Sequence, residues 1–493
     1  MKLDPLSVPY RAGESVVRLA WLLVFFVFGS PAVGGGISGI TGLVGAWFVV
    51  TLAYQLVYYQ RFEYELTDET LDIRSGVVSR RNREIPIRRV QNVDVSRNVV
   101  HRLLGIAQIN LETAGGSSTE ASLKYVSFEE AERLQSELGR LKRGESEPGT
   151  EPAPERDLFT ITPKELVLLG ITGINLRLLS FVTVLLPIIA PSLRERFADP
   201  LLGLAVTAPI AAVAIVVVTA AVSGVLAVTN YYGFRLSRQN DDLQYERGLL
   251  QRFSGTIPLE KVQTLTISEN VIARRIGHAS LAVETAGYAP SDSGSQSAVP
   301  LAARDRVVTL AQSVEPFEEL SFERPPNRAR YRYVVRYGLI ALIAIGVTFG
   351  ANRLTQLPFA WYVTLGLLPV VPVAAHLKWI NIGYDVQSEY IVLAEGFWTH
   401  TVTVVPYYRV QTVVDAQTVF QRRRNLATLV VDTAGSSGLT GRQPRALDID
   451  EDRAAALREQ VADRLQESLL TRREQRRRER LESIAAGPSA EPT

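Results

Sequence analysis

The stretch from Gly76 to Gly115 reads GVVSRRNREIPIRRVQNVDVSRNVVHRLLGIAQINLETAG, and its pattern occurs three times in the chain. In each copy a Gly lies ten residues before a Pro, and a base followed by Val-Gln begins three residues after that Pro. A Gly or Asn lies nineteen residues after the Pro, and Thr-Ala-Gly begins at twenty-seven. Anchors in one register, repeated three times, indicate a triplicated structural unit. The anchors are Gly76, Pro86, Gln91, Gly105 and Gly115; Gly248, Pro258, Gln263, Gly277 and Gly287; and Gly396, Pro406, Gln411, Asn425 and Gly435.

The composition agrees with three domains and excludes several classes of function. A chain of 493 residues is long enough for about three cores. The net charge of +2 gives no reason to expect nucleic acid as a partner. The chain has no Cys, and its four His show no shared metal-ligand spacing, so we expect neither a metal site nor a cofactor. Apolar blocks alternate with charged ones, which predicts a membrane protein.

Six apolar blocks predict three transmembrane helical hairpins. They cover residues 16–33 and 37–59, 166–190 and 201–228, and 332–350 and 359–380. Each block is long enough to cross about 30 Å of hydrocarbon. We disfavour a cleaved signal peptide for the first block, because the second block follows closely and the first lacks a small-residue cleavage site.

The distribution of bases predicts the orientation in the cell membrane. The hairpin turns hold only Arg194, Arg196 and Arg353 as clear bases, against 53 Lys and Arg in the chain. The positive-inside rule therefore places the long segments and both termini in the cytoplasm. Asn175 and Arg177 in the third block are candidates for a transport pathway. We favour the alternative that the span begins after them and that Arg177 reaches the interface.

The segments between the hairpins predict β-rich domains that end in a helix. Alternation in Phe62, Tyr64 and Leu66 is typical of half-buried strands. Gly105 can end a short helix in the left-handed conformation, and Asn425 tolerates the same geometry. A capping box that begins at Ser127 predicts a helix to about Lys142. The resulting division is hairpins at 1–60, 161–230 and 331–380; domains at 61–142, 231–314 and 381–470; linkers at 143–160 and 315–330; and a basic helical extension with a disordered tail at 471–493.

These features together resemble the bacterial pleckstrin-homology-like (PH-like) family of multi-pass membrane proteins of the YdbS and YdbT type. The resemblance rests on the helical hairpins, on Pro-x-x-[Arg/Lys]-Val-Gln and on the later Thr-Ala-Gly, and it covers residues 16–470. It implies an α+β membrane protein in which each hairpin is followed by a bent antiparallel sheet of seven strands, closed by a C-terminal helix. The family carries no settled biochemical activity, and lipid binding would come by fold analogy alone.

Two basic positions recur in every copy, three and sixteen residues after the Pro. A functional interpretation places them at a phosphate of a lipid headgroup or of a phosphorylated partner, where Arg forks are favoured. The alternative is a structural or membrane-surface role. The candidates are Arg89, Arg102, Lys261, Arg274, Arg409 and Arg422.

The other recurring residues favour structural roles over chemistry. The Gln of Val-Gln suits a buried polar group that satisfies the backbone, and Thr-Ala-Gly ends a strand. No phosphate-binding loop follows Gly115. The recurring acid is only Glu112, Glu284 or Asp432, one per domain, so no pair of carboxylates is available for catalysis. We therefore expect a protein that is not an enzyme.

The leading hypothesis is a scaffold or regulatory module at the cell membrane, with the lipid bilayer and a membrane or cytoplasmic protein as partners. The alternatives are recognition of anionic lipid headgroups and transport or export-linked resistance. No nucleic acid is expected as a partner.

Overall fold

The computed structural model describes residues 1–29, 37–113, 121–143, 155–173, 200–285, 297–355, 361–434 and 443–485. The two polar residues of the third apolar block, Asn175 and Arg177, lie outside these ranges, as do Gly115, Gly287 and Gly435. The chain forms two compact units, Met1–Glu260 and Lys261–Thr493. The first unit holds the first repeat and the beginning of the second. The remainder of the second repeat and the third repeat lie in the second unit.

Nineteen strands are found in the described residues, and all their pairings are antiparallel. In the first unit they are β1 (Glu63–Leu66), β2 (Thr70–Ser75), β3 (Arg81–Pro86), β4 (Val90–Arg97), β5 (Ile106–Thr113), β6 (Ala121–Ser127), β7 (Arg156–Thr160), β8 (Arg235–Gln239), β9 (Asp242–Arg247) and β10 (Arg252–Pro258). In the second unit they are β11 (Val262–Asn270), β12 (His278–Thr285), β13 (Ser297–Ala303), β14 (Gly383–Val386), β15 (Tyr390–Glu395), β16 (Thr399–Pro406), β17 (Val410–Ala416), β18 (Leu426–Thr433) and β19 (Arg445–Asp450).

The helices of the described residues belong either to hairpins or to repeats. The hairpin helices are α1 (Ser7–Gly29) with α2 (Ile37–Arg61), α5 (Pro163–Thr172) with α6 (Pro200–Tyr231), and α9 (Asn327–Thr355) with α10 (Leu367–Ile380). Each repeat adds a short helix and a longer C-terminal one: α3 (Val99–Leu104) and α4 (Phe128–Arg143), α7 (Val271–Arg275) and α8 (Arg304–Val314), and α11 (Val419–Arg422) and α12 (Glu451–Ala485). The predicted helical extension is present, since α12 continues through the basic segment.

The prediction of a left-handed residue after the short helix is confirmed in all three repeats. Gly105, Gly277 and Asn425 have φ values of 69°, 68° and 50°. Asn is among the few residues that adopt this conformation readily. The third repeat therefore keeps the turn without a glycine.

The C-terminal helix closes each core, as the sequence predicts. In the first repeat Leu71, Ile109 and Leu134 are fully buried in one cluster of sheet and helix side chains. Helix α4 begins where the Glu130 N–H donates to Ser127 Oγ at 3.3 Å, which is one half of the predicted capping box. The Glu130 carboxylate instead accepts from Arg133 at 2.9 Å, so the reciprocal half is not formed.

Each repeat has six strands after its hairpin, and a segment before the hairpin supplies the seventh. Met1 and Tyr64 exchange backbone hydrogen bonds of 2.7 and 3.0 Å. In the second repeat β7 pairs with β8, with Phe159 opposite Leu236. In the third, Glu323 and Tyr384 exchange hydrogen bonds of 2.8 and 3.1 Å.

The hairpin is thus inserted between the first strand and the rest of its sheet. Tyr64, Leu236 and Tyr384 all lie 22 residues before the Pro of their repeat. Both ends of each hairpin are therefore attached at the same sheet edge. The prediction that 143–160 and 315–330 are linkers is wrong for these paired segments. Composition missed them because strand addition uses backbone N–H and C=O groups, which every sequence carries.

Two helices of the described residues are long and apolar enough to cross a membrane, at Asn327–Leu354 and Trp361–Ile380. Large apolar side chains on the first of them face outward: Ile343 and Val347 are each 65% exposed. The other four predicted spans are not confirmed by this criterion, and the six-span topology stays a prediction. In the second hairpin, Gly170 and Gly224 allow close helix packing, because a Cβ on Gly170 would lie 2.7 Å from the Gly224 Cα.

Candidate functional site

Consecutive repeats are joined by a shared β-sheet. In the first unit β4 of the first repeat pairs with β10 of the second, with Arg97 opposite Arg252. In the second unit β11 of the second repeat pairs with β16 of the third, with Glu269 opposite His400. We call these contacts junction A and junction B.

The two junctions have the same register. In both, the residue eleven positions after the Pro of one repeat lies opposite the residue six positions before the Pro of the next. The fourth strand of a repeat is thus a docking edge for the third strand of the following repeat. Main-chain hydrogen bonds across such an edge provide affinity, and side chains along it provide specificity.

A recurrent arginine closes each junction. Arg102 donates to the Leu249 carbonyl at 2.8 Å in junction A. Arg274 donates to the Phe397 carbonyl at 3.1 Å in junction B and to Asn381 Oδ1 at 2.7 Å. Each arginine lies sixteen residues after its Pro, and each accepting carbonyl lies nine residues before the next Pro. The arginine that sequence analysis marked as a ligand candidate therefore holds two repeats together.

The predicted bases at the two positions do not converge on one ligand. Arg89 ends the 3₁₀ turn that precedes β4, whereas Arg102 lies in α3, beyond the other end of that strand. Eight residues of extended chain separate these elements by roughly 26 Å. A single phosphate cannot contact both side chains.

The three bases near the Pro have different surroundings. Arg89 is exposed, whereas Lys261 and Arg409 are half-buried. The Arg409 guanidinium lies 4.7 Å from the centre of the Tyr408 ring, and Arg472 of α12 lies 3.2 Å from the same ring. Binding of anionic lipid by these bases stays a prediction. At the other recurrent basic position of the third repeat, Arg422 is exposed.

Of the other recurring polar anchors, Gln263 fits its expected role. It is buried, and its amide donates to the Lys261 carbonyl at 3.2 Å. Gln411 is exposed, so the same role does not extend to the third repeat. The side chain of Gln91 is outside the described part of the structure.

Junction A contains a close approach that only glycine permits. The Tyr245 hydroxyl donates to Asp94 Oδ1 at 3.1 Å across β10. A Cβ on Gly255 would collide with that Asp94 oxygen and would lie 2.6 Å from the Tyr245 hydroxyl. Gly255 therefore leaves room for the hydrogen bond that joins the two repeats.

Junction B contains a buried acid held between two bases. Glu269 is 7% exposed, 3.4 Å from His400 Nδ1 and 3.6 Å from Arg304 Nε. Burial alone would raise the pKa of Glu269, but the hydrogen bond with His400 and the charge of Arg304 outweigh it and hold the pKa below its usual value. The side chains that meet at junction B therefore differ from those that meet at junction A.

A second recurrent contact fastens the first helix of a hairpin to its repeat. In the first repeat the His101 ring lies edge-on between Tyr10 and Tyr125, with ring centres 4.9 and 5.4 Å away. Asn98 donates to the Tyr10 hydroxyl at 2.9 Å, and Tyr125 donates to Glu14 at 3.1 Å. Helix α1 is thereby packed against α3 and β6.

The third repeat makes the corresponding contact with charged groups. Asp448 of β19 is 2% exposed and accepts from Arg332 and the Tyr333 hydroxyl, both on α9, and from Gln421 at 2.7 Å. Arg328 donates to Asp450 and to the Asn425 carbonyl. His101 and Gln421 occupy the same position, fifteen residues after the Pro. We call these contacts the hairpin clamps of the first and third repeats.

The clamp of the first repeat predicts a pH dependence. Burial lowers the pKa of His101, against the opposing charge of Glu14, and neither ring nitrogen has a hydrogen-bond partner among the described residues. The unfolded chain then binds a proton more readily than the folded one, so the stability is complete above the ordinary pKa of about 6.5 and falls as the pH drops below it. In His101→Gln, which copies Gln421, we expect a smaller loss of thermal stability between about pH 7 and pH 5 than in the parent protein.

The measurement is the unfolding midpoint of the purified protein over that pH range, with His278→Gln as a matched control. Equal pH slopes for the parent and His101→Gln would contradict the assignment.

The clamps, and the carbonyls that accept from the recurrent arginines at each junction, could not be predicted from the repeated motif. The clamp residues differ in type between repeats, histidine and tyrosines in one and Asp448 with arginines in the other, so no repeated letter marks them. The one signal in the sequence is the recurrent arginine sixteen residues after the Pro. The motif does not identify the carbonyl of the next repeat that this arginine binds.

Comparison with known proteins agrees with this architecture. A sequence model of the family described as bacterial PH domain matches residues 17–142, 177–317 and 335–465. These segments cover most of the chain and confirm the resemblance drawn from the repeated motif.

Two curated relatives come from Bacillus subtilis (strain 168). The UPF0699 transmembrane protein YdbT is 24% identical over 440 residues, which are 84% of this chain and 87% of the relative. The UPF0699 transmembrane protein YdbS is 28% identical over 147 residues, which are 28% of this chain and 89% of the relative. No solved structure matches.

Proposed function

The chain belongs to the bacterial PH domain family, and from that premise we propose that it is a non-enzymatic scaffold of the cell membrane, in which three cytoplasmic PH-like repeats hold or regulate a protein partner. The names of its relatives and its repeats fit a membrane protein with PH-like domains. The proposed form has six transmembrane helices in three hairpins and both termini in the cytoplasm.

The observation that carries the proposal is the repeated junction. Within each compact unit, sheet pairing and an arginine clasp hold neighbouring modules together, and these modules have no recurring catalytic pair. Repeated modules that contact their neighbours typically present extended binding surfaces.

The insertion of each hairpin into one sheet edge supports the topology. The chain leaves the sheet after the first strand and returns to it at Tyr64, Leu236 or Tyr384. A membrane hairpin that starts and ends at one edge crosses the bilayer an even number of times. All three repeats then lie on one side, the side favoured by the basic residues.

The natural absence of cysteine allows a direct test with single-cysteine variants. Ser79→Cys and Glu389→Cys replace exposed residues in the first and third repeats, and Leu354→Cys replaces a residue that is 86% exposed at the end of α9. We expect a membrane-impermeant thiol reagent to label the first two only from the cytoplasmic side and the third only from the outside.

The same cysteines, carrying a photoreactive group, test the scaffold role in native membranes. The repeat positions should give adducts with the same protein partner in replicate experiments, and Leu354→Cys should not. Labelling of a repeat from outside would refute the topology. Adducts with lipid alone, at every repeat position, would refute the scaffold.

A further inference from the structure

The outer edge of β17 has no strand beside it in the described part of the chain. This strand pairs with β18 on one side only. Its counterparts in the first and second repeats, β4 and β11, each hold the third strand of the following repeat. In the described residues no strand of a following repeat occupies the corresponding edge of the third repeat.

The exposure of β17 agrees with an open docking edge. Five of its seven residues are exposed, whereas none of the nine in β11 is. Val414 is 47% exposed, and on the adjoining helix Val419 and Phe420 are 59% and 66% exposed. Edges that face solvent permanently are normally protected by charges or Pro. The acid on this strand, Asp415, is paired with Arg458 at 2.9 Å.

The third repeat also carries the recurrent arginine that closes junctions A and B. Arg422 occupies the position of Arg102 and Arg274, sixteen residues after the Pro. Its side chain is exposed and has no hydrogen-bond or ion-pair partner among the described residues. In junctions A and B this arginine binds a carbonyl nine residues before the next Pro.

In the first repeat the third strand, β3, is the kind of strand that a docking edge would receive. It lies at an edge of its sheet in the described residues, and charged side chains protect it. Arg81 and Arg83 lie on β3 and Arg80 lies directly before it, and all three are exposed. The carbonyl that an incoming arginine would need, that of Val77, already accepts from Arg61 at 3.0 Å. In the register of the junctions, pairing β17 with β3 of a second copy would place the arginines at 80, 81 and 83 opposite residues 417, 416 and 414, at the edge that also carries the basic run Arg422–Arg424. It would also bring Arg422 against Arg61. Charge disfavours a second copy as the occupant.

We propose that the β17 edge of this protein docks the third strand of a PH-like repeat on a different polypeptide, with Arg422 as the clasp. This inference rests on the proposed scaffold function and specifies its partner. The register of the two junctions fixes the geometry: the residue six positions before the partner's Pro lies opposite Gln417. The strand is of the kind seen in β10 and β16, which are rich in Ser, Gly, Thr, Ile and Val, and its carbonyl nine positions before the Pro is free to accept.

The test uses the full-length protein in native membranes, with a photoreactive amino acid at Val414 and, as a control, at Glu389. We expect the Val414 adduct to map to the segment two to nine residues before the Pro of a PH-like repeat in another protein. An adduct with residues 79–84 of a second copy would overturn the proposal in favour of self-assembly. An adduct with lipid alone would overturn it in favour of a membrane-facing surface.

Two substitutions and a matched control complete the experiment. Ala416→Lys places a charge on the edge, and we expect it to reduce the adduct yield at least tenfold. Arg422→Ala should reduce the yield severalfold, and Arg423→Ala, one position away, should leave it unchanged. All three residues are exposed, so an unchanged unfolding midpoint verifies the fold.

The two crosslinking positions also distinguish failure of this inference from failure of the proposed scaffold function. Protein adducts at Glu389 without any at Val414 would refute the edge and leave the scaffold intact. If neither position gives a protein adduct, both proposals fail.

Discussion

Replacing Gly255 with Val is expected to open junction A, with a cost to local stability of about 3 to 5 kcal/mol. The new side chain would enter the space where Tyr245 donates to Asp94. Overpacking of a filled site costs about 1–3 kcal/mol, and loss of a hydrogen bond to a charged group costs about 1.5–3 kcal/mol. Gly255→Val would incur both the overpacking and the loss of the hydrogen bond, because the Tyr245–Asp94 hydrogen bond occupies the space that the new side chain would enter.

Hydrogen exchange of the β4 and β10 peptides measures this effect at the junction itself. A local measurement is preferable, because a protein with several repeats does not unfold as one two-state unit. Since 1.4 kcal/mol corresponds to a tenfold change, we expect protection in both strands to fall about a hundredfold or more.

The control places the same substitution where the steric cause has been removed. In a Tyr245→Ala and Asp94→Ala background, which removes both the ring carbon 2.7 Å from the Gly255 Cβ position and the carboxylate, the additional effect of Gly255→Val should be much smaller. Equal losses of protection in the two backgrounds would show that the glycine is needed for another reason.

The local structure of each repeat could be predicted because its determinants are side chains at fixed spacing. Gly105 and Asn425 predict a left-handed turn, and the observed φ values of 69° and 50° confirm it. Ser127 predicts the start of α4, and its hydroxyl accepts the Glu130 N–H as expected. Such signals act within a few residues, so one sequence contains both partners.

The docking between repeats could not be predicted because it depends on backbone groups and on distant partners. The buried residues Val93 and Val95 of β4 alternate like those of any strand that packs on a core, and the pattern does not reveal that β10 lies beside it. Arg102 recurs visibly, but its acceptor is the Leu249 carbonyl, 147 residues away. A carbonyl has no side-chain identity that a sequence pattern could detect.

The seventh strand of each sheet could not be predicted for the same reason: it pairs through backbone groups with a strand that is distant in the sequence. Phe159 is 1% exposed and pairs opposite Leu236, yet it follows a segment rich in Glu, Pro and Gly that reads as a linker. A short paired segment next to such a sequence has too few residues to establish an alternating pattern.

Replacing Asp448 with Ala is expected to detach α9 from the third repeat, at a cost of about 3–5 kcal/mol in local stability. The carboxylate is nearly inaccessible to water and is the shared acceptor for Arg332, Tyr333 and Gln421. Removing one partner of a buried ion pair leaves the other charge without compensation, which is the origin of the large cost. Asp448 also has φ of 56°, so Ala would add about 1–2 kcal/mol of left-handed strain.

Three further variants separate charge, backbone conformation and general surface effects. Asp448→Asn keeps the left-handed preference and one acceptor oxygen, and we expect it to lose less protection than Ala in hydrogen exchange of the β19 peptide. Glu467→Ala removes an exposed ion pair with Arg464, and we expect less than about 1 kcal/mol. In Arg332→Ala with Asp448→Ala, the loss should be smaller than the sum of the single losses, because neither charge is left buried alone. Additive losses would mean that Arg332 and Asp448 stabilise the third repeat independently, and the clamp would then not be what holds the hairpin to its sheet.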